Sequence, residues 1–191
     1  TTEIMREIVA KRLGIAGDSA GGGMAAALCR LIRDSGGPAI AFQLLLCPIL
    51  DVLGESAARR ELSAGYFLDR ETLLRDLELY CPGIDRSDSR LSPLRATNFT
   101  GLPPAFIHTG QFDPFGDEGE AYAARLTAAG VPVHGRAHPG MIHYFYCMAR
   151  MIPYAHRAAA LMGAEIRHIT ALPQLPERRV QNRIRPELIR A

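Results

Sequence analysis

The sequence predicts an α/β fold built on a parallel β-sheet. Short apolar runs alternate with segments of helical periodicity along most of the chain, which is typical of strand–helix–strand units. The apolar runs are nearly continuous, as expected for parallel strands that are covered on both faces. With 191 residues, 48% of them hydrophobic, the chain can bury one sizeable core. We therefore expect one domain over residues 1–172.

The individual elements follow from hydrophobic periodicity and from helix start and stop signals. The predicted helices are 3–11, 22–35, 71–80, 117–129 and 153–169. The predicted strands are 13–16, 39–47, 105–109 and 131–137. The sequence Gly36-Gly37-Pro38 supplies a C-terminal cap and a breaker for the second helix, and Pro48 closes the second strand.

Two segments depart from this alternation. Residues 51–103 show weak periodicity apart from helix 71–80, and they are too many for a simple crossover loop. We interpret them as an inserted lid. Residues 173–191 are rich in arginine and have little core potential, so we expect a solvated tail rather than an arm that binds nucleic acid.

Composition excludes several classes of protein. The formal net charge of +2 suggests neither a nucleic-acid partner nor an anionic membrane. Four cysteines without a CxxC pair predict free thiols and a cytoplasmic location. No apolar run approaches the roughly 20 residues of a membrane span. Because no histidines and cysteines have metal-ligand spacing, we expect no metal and no other cofactor.

A nucleophile motif lies between the first predicted strand and the following helix. Gly17-Asp18-Ser19-Ala20-Gly21 matches G-x-S-x-G, whose glycines let the chain turn sharply and present the serine hydroxyl. This context predicts Ser19 as a nucleophile and the Ala20 backbone N–H as an oxyanion donor. The alternative is a glycine-rich turn in which Ser19 only caps the helix.

A base and an acid stand where such a serine would need them. Asp113 follows strand 105–109 and His143 follows strand 131–137, so both map to carboxyl ends of strands, where open α/β sheets bind ligands. Asp113 before Pro114 could instead be a turn former. Asp117 and Glu118 compete for the acid role, but they suit the N-terminus of the next helix better.

The remaining five histidines are weaker candidates for a catalytic base. They lie inside predicted strands, at a strand end or on the final helix, and we expect each to be structural or solvated. These residues are His108, His134, His138, His156 and His168.

Six sequence stretches, in order, resemble the bacterial hormone-sensitive-lipase-like esterases, a branch of the α/β-hydrolases that includes arylacetamide deacetylases. They are residues 17–22, 47–51, 91–94, 101–105, 112–120 and 139–143, and the resemblance spans roughly residues 10–170. It implies Ser19 as nucleophile, His143 as general base and then acid, and Asp113 as the carboxylate that orients the imidazole.

The resemblance also implies a partial α/β-hydrolase sheet, since the family's N-terminal strands and its His-Gly-Gly oxyanion motif do not precede Ser19 here. Tyr144 follows His143 where the family usually has glycine. The resemblance further suggests a substrate pocket, and its candidate residues are Asp18, Tyr66, Phe67, Leu68 and Tyr144. The alternative is ordinary lid packing for Tyr66, Phe67 and Leu68, and simple packing for Tyr144.

The leading functional hypothesis is a carboxylic ester hydrolase that forms an acyl-enzyme on Ser19 and prefers short- to medium-chain esters. One alternative is a truncated, inactive hydrolase. Another is a non-catalytic small-molecule receptor, because plant gibberellin receptors share this fold; they have lost the catalytic histidine, whereas His143 is present here. The expected partner is a small ester, and the second expected partner is another copy of the chain, in a homodimer through an unpaired strand edge beside residues 13–16.

Overall fold

The computed structural model describes residues 13–170. The predicted helix 3–11 and the predicted tail 173–191 lie outside the described residues. The four strands are β1 Gly14–Asp18, β2 Phe42–Leu46, β3 Ala105–Phe112 and β4 Val133–Ile142. The helices are α1 Ala20–Asp34, α2 Ala57–Glu61, α3 Arg70–Tyr80, α4 Gly116–Ala128 and α5 Tyr154–Thr170. Short 3-10 turns cover Pro93–Arg95 and Phe145–Cys147.

The sheet has the strand order β1-β2-β3-β4, and every pair is parallel. The α/β fold with a parallel sheet is therefore confirmed. At the carboxyl ends, Asp18 pairs with Leu46, and Leu46 pairs with His108. Because this register aligns the strand ends, the residues that follow the strands meet at one edge of the sheet.

Apolar clusters cover both faces of the sheet, which explains why the strands are apolar at consecutive positions. One cluster packs against α1 and α4, and it includes Ala26, Leu45, Ile107, Tyr122 and Leu126. The other packs against α5, and it includes Phe42, Leu44, Phe106, Ala155 and Ala158. Neighbouring residues of β2, Leu44 and Leu45, thus belong to opposite faces, as the two-residue period of a strand requires.

The segment between β2 and β3 folds onto the core through a third cluster. Its buried members are Ile49, Val52, Leu73, Leu77 and Phe115. Helix α3 corresponds to the predicted helix 71–80, whereas α2 is a five-residue helix that the periodicity did not predict. Ser56 caps α2 by accepting a hydrogen bond from the Arg59 backbone N–H (3.2 Å).

Strands β3 and β4 run further than the sequence pattern indicates. They end at Phe112 and Ile142 rather than at Thr109 and Ala137, with a register shift between Gly110 and Phe112. The extension carries β3 and β4 to within one residue of the predicted acid and base. Among residues 13–170, no helix is long and apolar enough to cross a membrane.

Candidate active site

Ser19 occupies a strained turn between β1 and α1. Its backbone angles are φ 52° and ψ −119°, a conformation that costs on the order of 1–3 kcal/mol for a residue with a side chain. The surroundings hold it there. Its N–H donates to the Leu46 carbonyl (2.8 Å), and its carbonyl accepts from the N–H groups of Gly22 (3.0 Å) and Ile49 (3.0 Å). The turn therefore presents the hydroxyl at the carboxyl edge of the sheet.

Close backbone approach requires glycine at Gly17, the first glycine of the motif, and at Gly22, which follows the motif. A Cβ on Gly17 would lie 2.0 Å from the Gly21 carbonyl oxygen, and a Cβ on Gly22 would lie 2.7 Å from the Pro48 Cβ. Neither contact is compatible with a side chain larger than hydrogen unless the backbone moves. A Cβ on Gly21 would meet only the Asp18 Oδ1 at 3.8 Å, so packing at the turn explains the first glycine of G-x-S-x-G and not the second.

The structure brings the three predicted catalytic residues into one hydrogen-bonded chain. The His143 Nε2 atom lies 3.0 Å from the Ser19 Oγ, and the His143 Nδ1 atom lies 3.0 Å from an Asp113 carboxylate oxygen, Oδ1. A carboxylate only accepts, so Nδ1 carries the hydrogen and Nε2 offers its lone pair to the serine. Asp113 and His143 are buried, with exposed fractions of 1% and 3%.

The Asp113 carboxylate is kept ionised by its partners. Burial opposes ionisation, but the hydrogen bond and charge of His143, together with the Cys47 thiol and the Phe115 N–H, hold the pKa of Asp113 below its usual value. The Phe115 ring also packs edge-on against the imidazole, with centroids 5.2 Å apart. The imidazole is therefore held from two sides in one orientation.

The N-terminus of α1 faces the same edge. Ala20 is the first residue of this helix, where backbone N–H groups have no carbonyl partner within the helix. The positive end of the helix dipole adds to the attraction for an anion at this position. An apolar recess opens beside Ala20, and its lining includes Gly23, Met24, Ile49, Val52 and Leu77.

Aromatic side chains from the segment between α2 and α3 cover the residues beside the triad. Tyr66 stacks on Phe112 with ring centroids 5.5 Å apart, and Phe67 stacks on Tyr144 at 6.2 Å with an interplanar angle of 4°. Phe67 is 59% exposed and has a φ of 77°.

The other two pocket candidates, Leu68 and Asp18, are not part of these aromatic pairs. Leu68 packs against the cluster of Ile49, Val52 and Leu73, and it also borders a second recess with Arg59. Asp18 is partly buried at the end of β1, next to Ser19.

The two competing acids hold neighbouring segments in place. Asp117 accepts a hydrogen bond from the Ala58 N–H of α2 (2.9 Å). Glu118 forms a buried ion pair with Arg59 (2.6 Å) and also accepts from the Leu50 N–H (2.8 Å). Both also lie in the first turn of α4, as predicted. These long-range contacts join residues roughly 60 positions apart, and no local pattern signals them.

Sequence reasoning also missed two residues that touch the triad, Cys47 and Phe115. Both lie in stretches on which the family resemblance rests, Cys47 in 47–51 and Phe115 in 112–120. The sequence alone predicts only that Cys47 is a free thiol. All four cysteines are free in the structure, as predicted, and Cys47 is among the buried ones.

Comparison with known proteins places this geometry in a family. Residues 3–147 match the family described as the alpha/beta hydrolase fold. The chain belongs to this family. A carboxylesterase named NlhH from Mycobacterium tuberculosis is 40% identical over 151 residues, which are 77% of this chain and 47% of that protein. An ethyl acetate hydrolase from Pseudomonas putida is 31% identical over 159 residues, 81% of this chain and 49% of that protein.

Solved structures of α/β-hydrolases agree. A thermostable esterase from Pseudomonas putida matches with a TM-score of 0.81 at 35% identity, over 88% of this chain and 58% of that one. An α/β-hydrolase from the metagenome of Lake Arreo in Spain matches at 46% identity, with a TM-score of 0.77, over 81% of this chain and 50% of that one. The resemblance to hormone-sensitive-lipase-like esterases is thereby confirmed. The chain spans about half the length of the curated relatives it matches.

Proposed function

We propose that this α/β-hydrolase cleaves carboxylic esters through an acyl-enzyme on Ser19. The observation that carries the proposal is the continuous chain from Ser19 Oγ to His143 to Asp113, with both links at 3.0 Å, at a strained strand-to-helix turn. A serine hydroxyl is a weak nucleophile unless a base is within hydrogen-bond reach. The imidazole is that base, and the buried carboxylate fixes its tautomer.

Each chemical step has a group in place. As Ser19 Oγ attacks the carbonyl carbon, His143 Nε2 takes the hydroxyl proton, and the carbonyl oxygen becomes an oxyanion beside the Ala20 N–H. Collapse of this intermediate breaks the ester C–O bond, and the imidazolium returns its proton to the departing alkoxide. Water then adds to the acyl-enzyme with His143 again as the base, which releases the acid and restores Ser19.

A small ester with a short to medium acyl chain is the proposed substrate. The recess beside Ala20 is apolar, which suits an alkyl group. Tyr66 stacks on Phe112 and Phe67 stacks on Tyr144, beside the triad, and Asp18 borders Ser19. With the neighbouring Leu68, these residues are the proposed substrate pocket; they are Asp18, Tyr66, Phe67, Leu68 and Tyr144. The names of two relatives, an ethyl acetate hydrolase and an acetyl-hydrolase from Streptomyces hygroscopicus, also favour short acyl groups.

We also propose a lid, a cellular location and an oligomeric state. Residues 51–103, which hold α2 and α3, are proposed to act as a lid. The four free cysteines support a reducing, cytoplasmic location. In the described part of the sheet, β1 pairs with β2 alone, which supports a homodimer through its other edge.

The test of the catalytic proposal combines covalent labelling with turnover. A fluorophosphonate is expected to modify Ser19, located by peptide mass spectrometry, and the labelling should vanish in Ser19→Ala and His143→Ala. Turnover of p-nitrophenyl butyrate should fall in parallel. The matched control is Ser35→Ala, because Ser35 is an exposed serine at the end of α1. Labelling of another serine while Ser19 stays unmodified would contradict the assignment.

A further inference from the structure

The Asp113 carboxylate uses only one of its two oxygens in the contacts described above. Oδ1 faces His143 Nδ1 and also accepts from the Phe115 N–H (2.9 Å). Oδ2 is buried, and among the described residues no group, sulfur included, lies in hydrogen-bond geometry with it. A buried carboxylate oxygen without a donor is costly, so a polar group is expected beside it.

The Cys47 side chain lies near this carboxylate. It directly follows β2 and is fully buried. Its Sγ lies within 4.8 Å of a carboxylate oxygen of Asp113 and of a ring nitrogen of His143. Its backbone is left-handed, with a φ of 44°, and is fixed there by an N–H that donates to the His108 carbonyl (2.7 Å). Strain of this kind at a site's edge indicates that the direction of the side chain matters.

The chemistry of the sulfur makes it a donor. Burial raises the pKa of the Cys47 thiol, and the neighbouring Asp113 charge raises it further, so the S–H is present at any physiological pH. The backbone N–H groups of Tyr144 and Gly110 approach the sulfur as donors, so the carboxylate is the acceptor beside it for the thiol hydrogen. A thiol donates weakly, but a charged acceptor strengthens the bond.

We propose that Cys47 is a positioning residue of the triad, whose thiol donates to the Asp113 carboxylate and so keeps Oδ1 toward His143. The proposal rests on the proposed function, since it assigns Cys47 a part in the same reaction. The simpler reading is that Cys47 fills space as a small apolar side chain. The two readings differ in whether a donor at position 47 matters.

The first test compares variants of matched size. Cys47→Ala is expected to lower kcat for p-nitrophenyl butyrate about tenfold, the loss of roughly one hydrogen bond to a charged group, with KM unchanged because the thiol does not touch substrate. Cys47→Ser keeps a donor and should stay within about threefold of the unmodified protein. The control is Cys29→Ala, a similar truncation in the buried cluster beside α1.

A pH profile separates positioning from packing. Without the thiol hydrogen bond, the negative charge of Asp113 is more localised. It therefore stabilises the imidazolium of His143 more strongly than in the unmodified protein. The midpoint of the acid limb of kcat/KM should therefore move to higher pH in Cys47→Ala, by roughly half a unit. Cys47→Ser and Cys29→Ala should leave it in place.

The second test needs no turnover. The infrared S–H stretching band of Cys47, assigned by its loss in Cys47→Ser, is expected at low frequency because the thiol donates to a carboxylate. It should move to higher frequency in Asp113→Asn. If Ser19 is neither labelled nor active, the proposed function fails, and the infrared band still decides the Cys47 contact. A band that does not respond to Asp113→Asn, or a Cys47→Ala variant that behaves like Cys29→Ala, overturns the proposal.

Discussion

The buried Glu118 carboxylate gives the sharpest test of how the lid segment is joined to the core. One of its oxygens lies 2.6 Å from the Arg59 Nε, and the other accepts from the backbone N–H groups of Leu50 (2.8 Å) and Asp51 (2.9 Å). The perturbation is Glu118→Gln, which keeps the shape and removes the charge. Burial raises the pKa of Glu118, and the Arg59 charge and the two N–H groups oppose that rise.

The expected loss of stability follows from counting these contacts. A glutamine amide has one acceptor oxygen, so its NH₂ must face a donor on one side, either Arg59 or the pair of N–H groups. Breaking a buried ion pair costs about 3–5 kcal/mol. The low end of this range applies because the Arg59 guanidinium still donates to the carbonyls of Gly54 and Asp51 in the variant. We therefore expect a loss of about 3 kcal/mol, which corresponds to a fall in Tm of roughly 6–12 °C for a chain of this size.

The assay is urea and thermal unfolding followed by circular dichroism, with Asp117→Asn as the matched control. Asp117 accepts one hydrogen bond, from the Ala58 N–H, which the asparagine oxygen can still accept, so the loss of the charge is expected to cost at most about 1 kcal/mol. Combining Glu118→Gln with Arg59→Met should cost less than the sum of the two single changes, because the pair is then removed together. The reasoning is refuted if Glu118→Gln costs less than Asp117→Asn.

Three further outcomes are expected. Burial and the neighbouring histidine lower the pKa of His138 to about 4, so its contribution to stability should fall as the pH drops from about 6.5 to about 4, by up to roughly 3 kcal/mol, and His138→Gln should reduce this slope in urea titrations. Asp113→Asn should reduce kcat about 10⁴-fold, while Asp117→Asn should reduce it far less, as measured on p-nitrophenyl butyrate. Gly17→Ala should destabilise the protein by about 2 kcal/mol or more and abolish fluorophosphonate labelling, whereas Gly135→Ala, which meets no atom within 4 Å, should be nearly neutral.

The order of the elements and the triad candidates could be predicted because their signals are local. The motif around Ser19 needs only an apolar strand before it and a helix after it, and both are visible in a short window. Asp113 and His143 could be placed because parallel strands end at one edge of a sheet. The hydrogen bonds that join the three residues depend on the register of β1 to β4, which the sequence does not display.

The features that the sequence did not predict arise from contacts between residues that are far apart along the chain. Strand β4 runs through Pro139 and Gly140, two residues that normally end a strand, because pairing with β3 continues to Ile142 across a register shift. The buried contacts of His138 have the same origin. This residue, expected to be structural or solvated, lies 3.0 Å from His108 and 3.0 Å from the Tyr154 hydroxyl. No local pattern joins β3, β4 and α5.

Backbone strain is concentrated around the triad. Among residues 13–170, four residues other than glycine have a positive φ, and they are Ser19, Cys47, Phe67 and Tyr144. Ser19 is the proposed nucleophile, and Cys47 approaches Asp113. Tyr144 follows His143, and Phe67 stacks on Tyr144. Each such conformation costs on the order of 1–3 kcal/mol, so a sequence optimised for stability alone would place glycine or a relaxed turn there. Since the sheet register and the three packed clusters supply the compensating stability, the edge where the strands end is the part of the fold in which geometry has been favoured over stability.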